Sequence, residues 1–156
     1  MAQVRSWAGL HVHARSVLAV TVDASTGEMR TRRLPGTTSE VVGVYASRPG
    51  PTSAAYEAGP TGSGLARALH RAGIGCVVAA PGKIERPSQD RVKTDQRDAE
   101  RVLRLLMIDG LHPVRVPSTQ EEALRDLVGQ LAGGGCHSWR PPHAYDRAFS
   151  ARPRAD

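Results

Sequence analysis

Read as alternating apolar and polar positions, the chain opens with three short runs of strand character. These are residues 4–12 (VRSWAGLHV), 16–22 (SVLAVTV) and 28–34 (EMRTRRL), the last set off by the turn-forming DASTG. They predict antiparallel neighbours. The period then lengthens: in TTSEVVGVYAS, Val41, Val44 and Tyr45 recur at helical spacing behind Thr and Ser capping candidates. SAAYEAG reads as a buried strand, GSGLARALHRAG as a helix closed by Gly73, and IGCVVAA as a second buried strand, a succession that implies parallel pairing. After the polar loop PGKIERPSQDRVK, the stretch RVKTDQRDAERVLRLL (residues 91–106) places Ala99, Val102, Leu103 and Leu106 on one helical stripe. LHPVRVPS leads to a last helix, for which Ser118 and Glu121 form a capping box and Leu124, Leu127, Val128 and Leu131 an apolar stripe. The predicted order is βββαβαβα followed by a C-terminal helix, an α/β fold with a mixed sheet flanked by helices. Residues 133–156 carry neither period and predict a disordered tail.

Composition narrows the classes. A chain of 156 residues suits one domain with a real core, and it contains no run of about eighteen apolar residues. The start MAQVRSWAGL has no apolar signal region, so a cytoplasmic protein without a membrane partner is expected. Cys76 and Cys136 lie far apart with no ligand-type spacing, which argues against a disulfide or a cysteine-based zinc site. The formal charge of +6 suits a polyanion such as nucleic acid, although the preponderance of arginine among the basic residues is equally what a biased codon composition would give.

Candidate chemistry gathers around acids. Asp95 and Asp98 continue the apolar stripe of their helix at its N-terminal end, while Arg97, Arg101 and Arg104 form a separate basic face. Inward-pointing carboxylates leave three readings: helix-start acids favoured by the dipole, salt-bridge partners, or metal ligands. Glu57 ends a buried strand in YEAGPTG, and His11 and His13 alternate onto one face of the first strand, where packed or hydrogen-bonded histidines are commoner than ligands. A first strand, a fourth strand and a late helix are the places from which an RNase H-like domain projects carboxylates onto two metal ions.

The stretches WAGLHVH, YEAGPTGSGLARAL, IGCVVAAPGKI, RVKTDQRDAERVLRLL and VPSTQEEALRDLV, in this order between about residues 7 and 128, resemble the DEDD transposases of the insertion-sequence one-ten family. The resemblance implies a RuvC-like N-terminal domain over residues 1–112, a linker and the start of a coiled-coil-like region over 113–132, and a tail over 133–156 of possible out-of-frame origin. It also implies an Asp-Glu-Asp-Asp tetrad that binds Mg²⁺ or Mn²⁺. Glu57, Asp95 and Asp98 match three members, and His11 stands where the family has its first aspartate. Family members continue into a domain with a serine nucleophile and act with a guide RNA, and nothing in this chain matches that half. The expectation is a truncated transposase domain involved in DNA transposition, inactive alone, with Glu57, Asp95, Asp98 and His11 at the site and Arg91, Lys93, Arg97 and Arg101 on nucleic acid. DNA, guide RNA, a second copy or a full-length transposase are the implied partners. A non-catalytic nucleic-acid-binding or regulatory fragment and an autonomous metal nuclease are the competing readings.

Overall fold

A computed structural model describes residues 3–84 and 94–131. Its elements are β1 (Ser6–Val12), β2 (Ser16–Asp23), β3 (Met29–Pro35), α1 (Thr38–Ala46), β4 (Thr52–Glu57), α2 (Gly64–Arg71), β5 (Gly75–Ala79), a 3₁₀ turn (Pro81–Lys83), α3 (Asp95–Met107) and α4 (Thr119–Leu131). The order matches the sequence pattern, with the 3₁₀ turn as an unpredicted addition. The tail from 133, Arg91 and Lys93 lie outside the described residues. The chain divides into two compact units, Met1–Glu122 and Ala123–Asp156.

The first unit is built on a five-stranded mixed sheet of order β3-β2-β1-β4-β5. β1 pairs antiparallel with β2, which pairs antiparallel with β3, whereas β1–β4 and β4–β5 are parallel, as strands joined by crossover helices must be. Alternation along each strand divides its residues between two faces. On one face Ala8, Leu10, Val17, Ala19, Ala54 and Tyr56 pack with Val41 and Tyr45 of α1 and Leu65, Ala66 and Leu69 of α2. On the other, Val20 packs with Ala99 and Leu103, and Ala55 with Val102 and Leu106, so the predicted stripe of α3 is the stripe it buries. Trp7 bridges these two smaller clusters.

Gly9 explains how closely α3 lies on the central strand. A Cβ at this position would fall 2.0 Å from the Ala99 carbonyl oxygen and 2.7 Å from the Leu103 backbone nitrogen. Only a residue without a side chain lets helix backbone rest on strand backbone here. On the opposite face the strand-side hydroxyl of Thr21 is 3.0 Å from the Tyr45 hydroxyl, which gives that buried phenol its polar partner.

The first turn of α4 and the residues before it are fastened to α2. Glu122 accepts the Ser63 amide at 2.8 Å and pairs with Arg67, whose other guanidinium nitrogen donates to the Pro117 carbonyl at 2.9 Å. Gly62, at φ 72°, makes the turn that brings this amide round. The expected capping box is present: Ser118 N–H donates to Glu121 Oε2 at 2.7 Å and Glu121 N–H to Ser118 Oγ at 3.2 Å. The apolar stripe of α4 is on the surface in the described structure, with Leu124 62 %, Leu127 52 % and Val128 57 % exposed.

Candidate metal and nucleic-acid site

Strand register decides which side chains meet at the mouth of the α3 face. His11 lies opposite Leu18, and Leu18 opposite Arg33, so His11 and Arg33 belong to one row across three strands. On the other side Leu10 is opposite Tyr56, and Glu57, one residue further, is the last residue of β4. These are the C-terminal ends of β1 and β4, the edge at which α/β sheets hold their ligands. α3 begins at the same edge. Its N-cap is Thr94, whose side-chain oxygen accepts the Arg97 amide at 3.3 Å, and its first residue is Asp95.

Asp95 is the meeting point. Its Oδ1 is 3.5 Å from His11 Nε2 and 3.5 Å from His13 Nε2, and its Oδ2 accepts from Arg33 Nη2 at 3.4 Å. The two imidazoles stand edge to face with centroids 4.5 Å apart. Partial burial pushes the Asp95 carboxyl up, but hydrogen bonding from His13 and Arg33 and the charge of both histidines outweigh it and hold the group below its ordinary range. Arg33 also reaches Ser16 Oγ at 3.2 Å, which steadies the guanidinium over the site.

Asp98 has a different environment. It is buried at 8 % exposure, one turn further into α3, where Arg101 Nη1 lies 3.4 Å from its Oδ1. Arg101 is therefore folded against the helix beside Asp98, and the basic face expected of Arg97, Arg101 and Arg104 is reduced to Arg97 and Arg104 at the surface. Arg104 in turn faces Glu100 at 3.8 Å.

The structure thus brings His11 and Asp95 together, ends β4 on Glu57, and places Asp98 on the covered side of the same helix. Sequence reasoning passed over His13 and Arg33 as site residues. The i, i+2 spacing of the histidines was a signal for the first; nothing local signals the second, because its position depends on two strand registers. As a donor set, His11 Nε2, His13 Nε2 and an Asp95 oxygen, all within 4.8 Å of one another, fit a divalent ion that accepts imidazole. They depart from the oxygen shell that Mg²⁺ prefers.

A five-stranded sheet of this order, helices on both faces and polar groups at the C-terminal ends of its parallel strands define an RNase H-like domain. The family model for DEDD transposases of the IS110 type matches residues 8–133, and the chain belongs to that family. Among curated relatives, the "Putative transposase y4qE" of Sinorhizobium fredii is 52 % identical over 73 residues, covering 47 % of this chain and 19 % of that protein. The transposase for insertion sequence element IS1533 of Leptospira borgpetersenii is 45 % identical over 78 residues, covering 47 % of this chain and 21 % of the relative. The aligned stretches span about a fifth of the length of these relatives. The family is one of transposases.

Proposed function

We propose that this chain is the RuvC-like DNA-handling domain of an insertion-sequence transposase. In this reading Glu57, Asp95, Asp98 and His11 mark the place of a divalent ion, and the domain does not recombine DNA alone. The observation that carries the reading is the family match over residues 8–133 combined with the juxtaposition of His11 and Asp95 at the C-terminal end of the central strand. A bound divalent ion in such a domain supplies charge neutralisation and Lewis acidity at a phosphodiester. The chain's own residues orient it, and replacing the family's first aspartate by His11 removes one negative charge and one oxygen donor, which lowers affinity for Mg²⁺ more than for Mn²⁺.

No helix among the described residues is long and apolar enough to cross a membrane, and the reading places the protein in the cytoplasm with DNA. Arg91, Lys93 and Arg97, which precede or begin α3, are the proposed phosphate contacts, with Arg101 contributing only if it leaves Asp98. Titration of a labelled duplex at several salt concentrations tests this. Each phosphate contact removed by Arg97→Ala or Lys93→Ala is expected to lower the slope of log affinity against log salt by about 0.9, and binding indifferent to salt defeats the proposal. Structured RNA in the same titration tests the proposed guide-RNA partner.

His11 in place of an acid also favours a second reading, a regulatory fragment that pairs with a full-length transposase and restrains it. Adding this chain to a full-length relative in a transposition assay separates the two, since only a regulator lowers the relative's activity without competing for DNA.

A further inference from the structure

We infer that His11, His13 and Asp95 form a three-ligand centre for a borderline transition-metal ion of the zinc class, selective against Mg²⁺. It shares His11 and Asp95 with the proposed transposase site but does not rest on that reading, because neither Glu57 nor Asp98 is needed.

The distances carry the argument. Two ligands on a tetrahedral ion, each about 2.05 Å from it, stand about 3.3 Å apart. His11 Nε2 and His13 Nε2 each lie 3.5 Å from Asp95 Oδ1, and all three donors lie within 4.8 Å of one another. As direct hydrogen bonds these separations are at the outer limit of the usual range. As ligand-to-ligand spacings the two histidine–Asp95 separations need a closure of only tenths of an ångström, and the two imidazole nitrogens, within 4.8 Å of each other, one of up to about 1.5 Å. The side chains that would make it are able to move: His13 is half exposed and Asp95 38 % exposed, while His11, at 19 %, is anchored in the central strand. That exposure also gives an ion an open path and leaves a coordination position for water.

The surroundings suit the same ion. Arg33 holds the remaining oxygen of Asp95 at 3.4 Å, as an outer partner that fixes the orientation of a ligating carboxylate. Two nitrogens and one oxygen select zinc, cobalt or nickel over magnesium, which keeps an oxygen shell. His11 belongs to β1 and His13 follows its last residue, and the His13 amide, which donates to the Ser16 carbonyl at 2.9 Å, fixes the hairpin that carries the second histidine.

The test is calorimetric titration of the full chain with Zn²⁺, and with Co²⁺ as a visible-absorbance probe of imidazole ligation, in excess Mg²⁺. Because Cys136, His137 and His143 are further donors in the sequence, the variants decide the outcome. His13→Ala is expected to weaken Zn²⁺ binding at this site at least about tenfold, and His13→Asp to restore most of it, with circular dichroism unchanged in both. Equal Zn²⁺ binding by wild type and the His11→Ala/His13→Ala double variant overturns the inference. Binding that survives His13→Ala but is lost in Glu57→Gln also overturns it, and would place the ion on the carboxylates of the transposase reading. Loss of DNA binding with Zn²⁺ binding intact would defeat that reading alone.

Discussion

The two faces of the sheet are made from the same strands and have opposite characters. On the α1/α2 face the alternate residues Ala8, Leu10 and Val12 of β1 stay apolar to the end of the strand, and the core they join is continuous. On the α3 face the intervening residues run Trp7, Gly9, His11, changing from packing to contact with helix backbone to chemistry within five residues. The difference teaches how one strand can belong to a core and a site at once. The first face supplies rigidity, and the second uses that rigidity to hold an imidazole in place at its open end.

The strongest way to break the comparison is Gly9→Val. With a Cβ already 2.0 Å from the Ala99 carbonyl, the substitution must lift α3 from the sheet and carry Asp95 away from His11. A loss of about 3 kcal/mol or more is expected in urea unfolding, together with loss of the site, since overpacking without room to relax sits at the upper end of its usual cost. Leu10→Ala, on the other face of the same strand, is expected to cost about 2–5 kcal/mol while leaving the His11–Asp95 geometry in the folded fraction intact. If both variants disturb the site equally, the faces are not independent. Glu122→Ala removes the partner of Arg67 and the acceptor of the Ser63 amide, for an expected loss of about 1–3 kcal/mol with no change at Asp95.

The smallest effect is one of pH. Burial pushes the Tyr56 hydroxyl, on the closed face, up from its ordinary 10.0 to about 12. A phenol whose folded value is raised contributes stability that is complete below pH 10.0 and is lost as pH rises towards about 12. Phenolate absorbance followed through this range, with the unfolding midpoint measured alongside, is expected to show the late ionisation, and Tyr56→Phe to remove it.

Much of the closed face was legible because period alone defines it: Val41 and Tyr45, or Leu65 and Leu69, announce their burial locally. The stripe of α3 and the capping box of α4 were legible for the same reason. What the sequence could not yield depends on register and on close approach. Arg33 reaches Asp95 across 62 positions because β1, β2 and β3 align as they do, and no local pattern carries that alignment. Arg101 reads as part of a solvated basic face by spacing, yet its long side chain turns back to Asp98, since a buried carboxylate needs a partner more than a surface guanidinium needs water. The stripe of Leu124, Leu127 and Val128 shows the converse, a correct helical period whose apolar residues remain exposed.

The edge strand β3 has a consequence of a different kind. A sheet margin with free backbone groups invites another chain to add itself, and lengthening of this sort ends in aggregates. Here that margin bears Arg30, Arg32 and Arg33, all exposed, so an identical strand approaching it would set arginine against arginine. The far margin is short, and Pro113 bridges to Ala79 there, putting a residue without an amide hydrogen where a newcomer would pair. Both borders of the sheet are thus closed to growth, one by charge and one by covering chain. Copies of this domain can therefore stand at concentration without joining strand to strand.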